Sequence, residues 1–140
     1  MAFSPETYAL LKGEVNAINS AVSAKGTVYS GVNNGANAIT VGASFKNTNE
    51  IELEAGTYLI CGIAGFSGNL DSSKTMQISL YDVTNAVTYA TTKGTLGQGG
   101  GVSIVTVLTL SAYAKLRTRC AQNSGNDLDT AQNLMFAIKL

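Results

Sequence analysis

The sequence contains no histidine and no tryptophan, and only one proline. Without an imidazole there is no Ser-His-Asp triad, no Cys-His pair and no histidine-ligated metal site. Charge is scarce too: Lys, Arg, Asp and Glu make up 13% of the 140 residues, about half the share usual in soluble domains. Nine basic and nine acidic side chains leave a formal net charge of zero. No overall field therefore draws in nucleic acid or an anionic membrane. No apolar run reaches the ~20 residues of a membrane helix, and no signal-peptide pattern opens the chain. The two cysteines, Cys61 and Cys120, lie far apart in strand-like runs. They are expected as buried free thiols at inward-facing positions, in a protein made in a reducing cytosol.

What fills the space is Gly, Ala, Ser, Thr and Asn. A chain so poor in charge either exposes neutral polar side chains or hides surface in an assembly. Its first segment has a clear helical grammar. Ser4 is placed to cap a helix, Pro5 to occupy its first position, and Glu6 to put negative charge in the first turn. Phe3 and Tyr8 have the spacing of a hydrophobic staple. Gly26 is placed to end the helix near Ala24. Within it Tyr8, Leu11, Val15, Ile18 and Val22 recur at alternating steps of three and four, the seam of a coiled coil. About twenty residues of mixed propensity are marginal as a lone helix, so the seam calls for partners. These are either sister helices or the chain's own β domain.

From Thr27 onward the period changes to two. Strands are expected over Thr27–Val32 and Ala38–Phe45, separated by the turn Asn33-Asn34-Gly35, and around Ile51 and Leu53. Gly56–Gly65 is apolar on both faces, as in a central strand buried on both sides. Met76, Ile78 and Leu80 share a face, and Val87–Thr91 follows as a hairpin partner across Thr84-Asn85. Gly94–Gly101, with five glycines, reads as a loop. Val102–Leu110 is again apolar on both faces. Lys115, Arg117 and Arg119 alternate with Leu116, Thr118 and Cys120, and the last strand puts Leu134, Phe136, Ile138 and Leu140 on one face. About eight such strands predict an all-β jelly-roll sandwich over 26–140, preceded by a helical stalk over 1–25. Val105 and Val107, opposite Ile104 and Leu108, exceed what a two-sheet core needs. Surplus of this kind marks a subunit contact, so they join the helical seam as expected trimerisation residues.

The stretches Leu53–Ile60, Val107–Leu110, Ala114–Thr118 and Leu134–Leu140 resemble the trimeric globular heads of the complement-component and tumour-necrosis-factor superfamily. That resemblance implies a homotrimeric jelly roll. The opening Phe3–Lys12, with its short stalk and β-rich body, resembles small virion proteins of tailed bacteriophages. This second resemblance implies a head fibre or a tail-fibre knob, assembled in the host cytoplasm and carried on the virion. Such a protein would contact other virion proteins through its N-terminal segment and a host surface glycan or receptor through its far end.

Other chemistries find little support. Glu50, Glu52 and Glu54 alternate along one strand edge and are expected to face solvent together, which does not specify a glycosidase pair. Lys93-Gly94-Thr95 has the wrong order for a phosphate loop. Asn123, Asn126, Asp127 and Asp129 offer oxygen ligands of a kind calcium accepts, but turns favour Asn and Asp for conformational reasons alone, and no metal is expected. Lys115, Arg117 and Arg119 read as a solvated row or an ion-paired one, without the aromatic platforms of a nucleic-acid surface. The sequence thus favours a non-enzymatic trimeric virion component without cofactor or membrane insertion. A free carbohydrate- or ligand-binding jelly roll, using Tyr29, Tyr81, Tyr89 or Tyr113 in place of tryptophan, is the alternative.

Overall fold

A computed structural model of the chain describes residues 4–31, 40–66, 68, 70–97 and 100–140. Helix α1 runs from Pro5 to Ala24, where the sequence places it. Its first turn is closed as expected: the Ser4 Oγ accepts the Thr7 backbone N–H at 3.2 Å. Gly26, at φ +77°, turns the chain out of the helix, a conformation open to glycine at little cost. The Gly26 N–H then donates to the Lys139 carbonyl, which seats the helix exit against the last strand. Phe3, and with it the staple, lies outside the described residues, as does the Asn33-Asn34-Gly35 turn.

Nine strands follow among the described residues: β1 (Val28–Ser30), β2 (Thr40–Val41), β3 (Lys46–Leu53), β4 (Gly56–Phe66), β5 (Thr75–Asp82), β6 (Val87–Thr95), β7 (Gly101–Leu110), β8 (Ala114–Gln122) and β9 (Leu128–Lys139). They form two antiparallel sheets. One has the order β1-β9-β4-β7, with β2 also on β9; the other has the order β3-β8-β5-β6. Of the connections from β3 onward, only β5 to β6 is a hairpin within one sheet. The others cross between sheets, which makes the sandwich a jelly roll.

Three boundaries differ from the sequence reading. In the described part of the run Ala38–Phe45, Thr40–Val41 is strand and 42–45 is loop. The glycine-rich loop is shorter than expected, because β6 continues through Gly94 and Thr95 and β7 starts at Gly101. Glycine weakens a strand but does not forbid one, and here ladder bonds to β5 and β4 hold those residues extended.

The core lies between the sheets. Tyr58, Ile60, Ala64 and Phe66 of β4 face Met76, Ile78 and Leu80 of β5, with Leu116 and Cys120 of β8 and Met135 and Ala137 of β9 also enclosed. Two buried hydroxyls satisfy one another, Thr48 Oγ1 and Thr118 Oγ1 lying 2.8 Å apart. Burial pushes the Cys120 thiol up to about 11, keeping it neutral and unreactive.

Register fixes the two ends of the sandwich. Crossovers 54–55 and 111–113, the hairpin 83–86 and the helix exit gather at one end. Loops 42–45 and 123–127, and the ends of β4 and β6, gather at the other. The helix therefore joins opposite loops 42–45 and 123–127.

Candidate functional site

The outer face of the β1-β9-β4-β7 sheet is apolar. Cross-strand pairing sets Val28, Ile138, Leu59 and Val107 in one rung, then Phe136, Cys61 and Val105 in the next, then Leu134 and Ile63. Val105 is 68% exposed and Val107 59%, while Leu134 at 48% and Ile63 at 37% continue the patch. Leu59, Cys61, Phe136 and Ile138 are half-buried at its centre. An apolar area spanning four strands is unusual on a lone soluble domain.

Two sequence readings are corrected here. Gly56–Gly65 does not bury both faces within one chain, because Leu59, Cys61 and Ile63 point outward. Cys61 accordingly lies on the outer face, not in the core. Its neighbour Gly62 takes the inward position because β8 passes close by: a Cβ there would stand 2.7 Å from Thr118 Cγ2. The face shared by Leu134, Phe136 and Ile138 is real, and it is this outer one; Met135 and Ala137 fill the core instead. The sequence reading named only Val105 and Val107 of this surface. The alternation of β9 carried the signal for the rest, but not which side was out.

The helical stripe has no partner among the described residues. Tyr8, Leu11, Val15, Ile18 and Val22 are all exposed, so the seam does not pack on its own sandwich. Tyr8, Leu11, Lys12 and Val15 bound a shallow apolar hollow along the helix. In heptad terms these are positions a, d, e and the next a, which line the hole that takes a d-position knob from a parallel neighbour.

The outer face of the other sheet is its opposite in character. Lys115 Nζ lies 3.3 Å from both Glu50 Oε1 and Glu52 Oε1, and Arg117 Nε donates to Glu50 Oε2. Glu50 is thus tied down across β3 and β8 instead of facing solvent freely with Glu52 and Glu54. The hydrogen bond from Arg117 chiefly holds its carboxyl below the ordinary range. Bonds to Glu52 and then Glu50 raise Lys115. Arg119 lies over the Tyr81 ring at 3.8 Å and the Phe45 ring at 5.1 Å. The basic row is therefore spent within the sheet.

The turn carboxylates and amides do not converge on a cation. Asn123 Oδ1 accepts the Thr75 N–H, Asp129 Oδ1 accepts the Thr40 hydroxyl, and the Asn126 carbonyl accepts from Ser124 Oγ. Among the described residues no three acidic or thiol groups gather as metal ligands. No helix among them is long and apolar enough to cross a membrane.

These features define a class of fold, a two-sheet jelly roll with one greasy and one polar outer face. No protein-family model and no curated protein sequence matches the chain. Among solved structures it is similar to Eiger TNF from S. frugiperda, with 14% identity over 81% of this chain and 91% of that one, at a TM-score of 0.56. It is similar also to a chain of the T13 IBDV viral particle, with 8% identity at a TM-score of 0.55. That match covers 81% of this chain and 30% of the viral one. At such identities the likeness shows the fold, a jelly roll common to a TNF and a viral-particle protein.

Proposed function

We propose that the chain is a non-enzymatic homotrimeric structural protein of a tailed-bacteriophage virion, a jelly-roll knob (26–140) on a short helical stalk (1–25). It decorates the head as a fibre or forms a tail-fibre tip, with its helix end toward the particle and the opposite end toward the host surface. One observation carries the reading: the apolar outer face of the β1-β9-β4-β7 sheet has no cover among the described residues. The open helical stripe, joined to the sandwich through β1 of that same sheet, supports it.

Magnitudes favour using both surfaces. Covering what remains open on each of these side chains is worth about 1–2 kcal/mol. A handful of them only matches the ~4–15 kcal/mol that association costs. Seam and sheet together exceed it. Closed rotational symmetry sends all helices from the same end of their sandwiches, so they run parallel. Three is the number implied by the resemblance to trimeric jelly-roll heads.

Light scattering on the full chain at micromolar concentration tests this directly. A mass of three chains is expected, and a stable single-chain species overturns the proposal. A single-chain species that still binds saccharide would select the free ligand-binding module instead.

A further inference from the structure

We propose that the hollow bounded by Thr40, Gly42, Ser44, Phe45, Lys46 and Asp127, at the end of the sandwich opposite α1, binds a neutral saccharide. This rests on the reading above, in which that end faces outward from the particle. The hollow holds about 370 Å³, within the range of small-ligand sites. Its wall carries one carboxylate and one ammonium, and no ion pair engages either with a described residue. An anion would meet Asp127 and a cation would meet Lys46. A ligand rich in hydroxyls uses both, donating to the carboxylate and accepting from the ammonium.

Phe45 supplies the apolar part. It is 42% exposed as the last residue of loop 42–45, just before β3. Arg119 stands 5.1 Å from the ring centroid and steadies it while itself stacked on Tyr81. An exposed, steadied ring offers a flat surface for the C–H face of a pyranose, which loses apolar contact with water on stacking.

The Asp127 carboxylate lies over Gly42: a Cβ there would fall 2.5 Å from Asp127 Oδ1, and this exposed side chain would have to swing away from the loop. The loop backbone is held: the Gln122 N–H donates to the Gly42 carbonyl at 3.0 Å, and Gln122 Nε2 to the Val41 carbonyl at 2.9 Å. A loop backbone fixed in this way lowers the ordering cost of binding. A second polar hollow of about 150 Å³ shares Ala43 with the first and presents Thr75, Gln77, Lys93 and Asn123. The paired hollows suit an oligosaccharide better than a single sugar.

The test is an array of neutral hexose and N-acetylhexosamine oligosaccharides, probed with full-length protein whose mass is measured in the same buffer. Wild type is expected to bind at least one of them. Phe45→Ala and Asp127→Asn should each lower the signal about tenfold or more, the loss expected for a stacking or charged hydrogen-bond partner. Val87→Ala, at the helix end, should leave it unchanged. Both site side chains are open to solvent, and circular dichroism verifies that each variant keeps its fold. Retention of no neutral saccharide, or equal retention by both site variants, overturns the proposal. A three-chain particle that ignores every neutral saccharide sinks this site alone. A single-chain species that binds through Phe45 and Asp127 upholds the site and sinks the trimer.

Discussion

Gly62 and Asp82 show how much single residues decide. Gly62 stands where β8 leaves no space for a side chain, with Thr118 Cγ2 only 2.7 Å from the missing Cβ. Thr118 is itself pinned by Thr48 and cannot move aside cheaply. Gly62→Ala is therefore expected to lower stability by about 1–3 kcal/mol, the usual cost of overpacking, measured by urea unfolding. Asp82 is fully buried at the β5–β6 hairpin. Burial raises its carboxyl, but bonds donated by the Asn85 side chain and backbone, the Tyr89 hydroxyl and the Thr84 backbone outweigh that and leave it below the ordinary range. A carboxyl held low in the folded state stabilises fully above its ordinary pKa of about 3.9 and stops doing so as pH falls through the depressed native value. Glu50 has the same sign. The urea midpoint should thus fall on acidification from pH 5 to below pH 4. Asp82→Asn should start lower at pH 7 and decline less steeply.

At the scale of elements, the helix was the most legible part of the sequence, because Ser4, Pro5 and Gly26 act locally and need no tertiary information. The strands were legible as periods but not always as phases. In Leu59-Ile60-Cys61-Gly62-Ile63 both faces are apolar, so alternation alone could not tell that Cys61 points out and Gly62 in. Only the close approach of β8 settles it. The β2 region and the ends of the glycine loop were misjudged for a related reason: ladder partners distant in sequence decide where extension stops. The exposed stripe of α1 makes its own prediction. In a parallel, in-register bundle Leu11 enters the hole formed by its neighbour's Tyr8, Leu11, Lys12 and Val15. Leu11→Cys, in a chain whose Cys61 is changed to Ser, should then form an intermolecular disulfide on mild oxidation. Gln77→Cys, on the opposite sheet, should not. A three-chain particle whose residue 11 fails to cross-link would show that the stalks splay apart or bind the particle singly.

For the whole molecule the decisive property is the contrast between its two outer faces. One carries Val105, Val107, Ile63 and Leu134 with no charge among them, and the other carries cross-strand ion pairs and a stacked Arg119. Sequence alone found the first face in outline, through the surplus valines of β7. It missed most of the patch because the contributions of β1, β4 and β9 become one surface only when the sheet order is known. The same fold in a TNF and in a viral particle leaves role open, so the test must come from this surface. Val105→Lys places a charge at the most exposed point of the patch, where the isolated chain can solvate it without strain. Its folding stability should therefore change by less than about 0.5 kcal/mol. In a trimer the same ammonium would be buried without a partner, a cost of several kcal/mol per subunit, and scattering should report single chains. Thr91→Lys, an equal change on an exposed position of the opposite sheet, should leave three chains together. Equal masses for the two variants would mean that the apolar sheet face is not where copies meet.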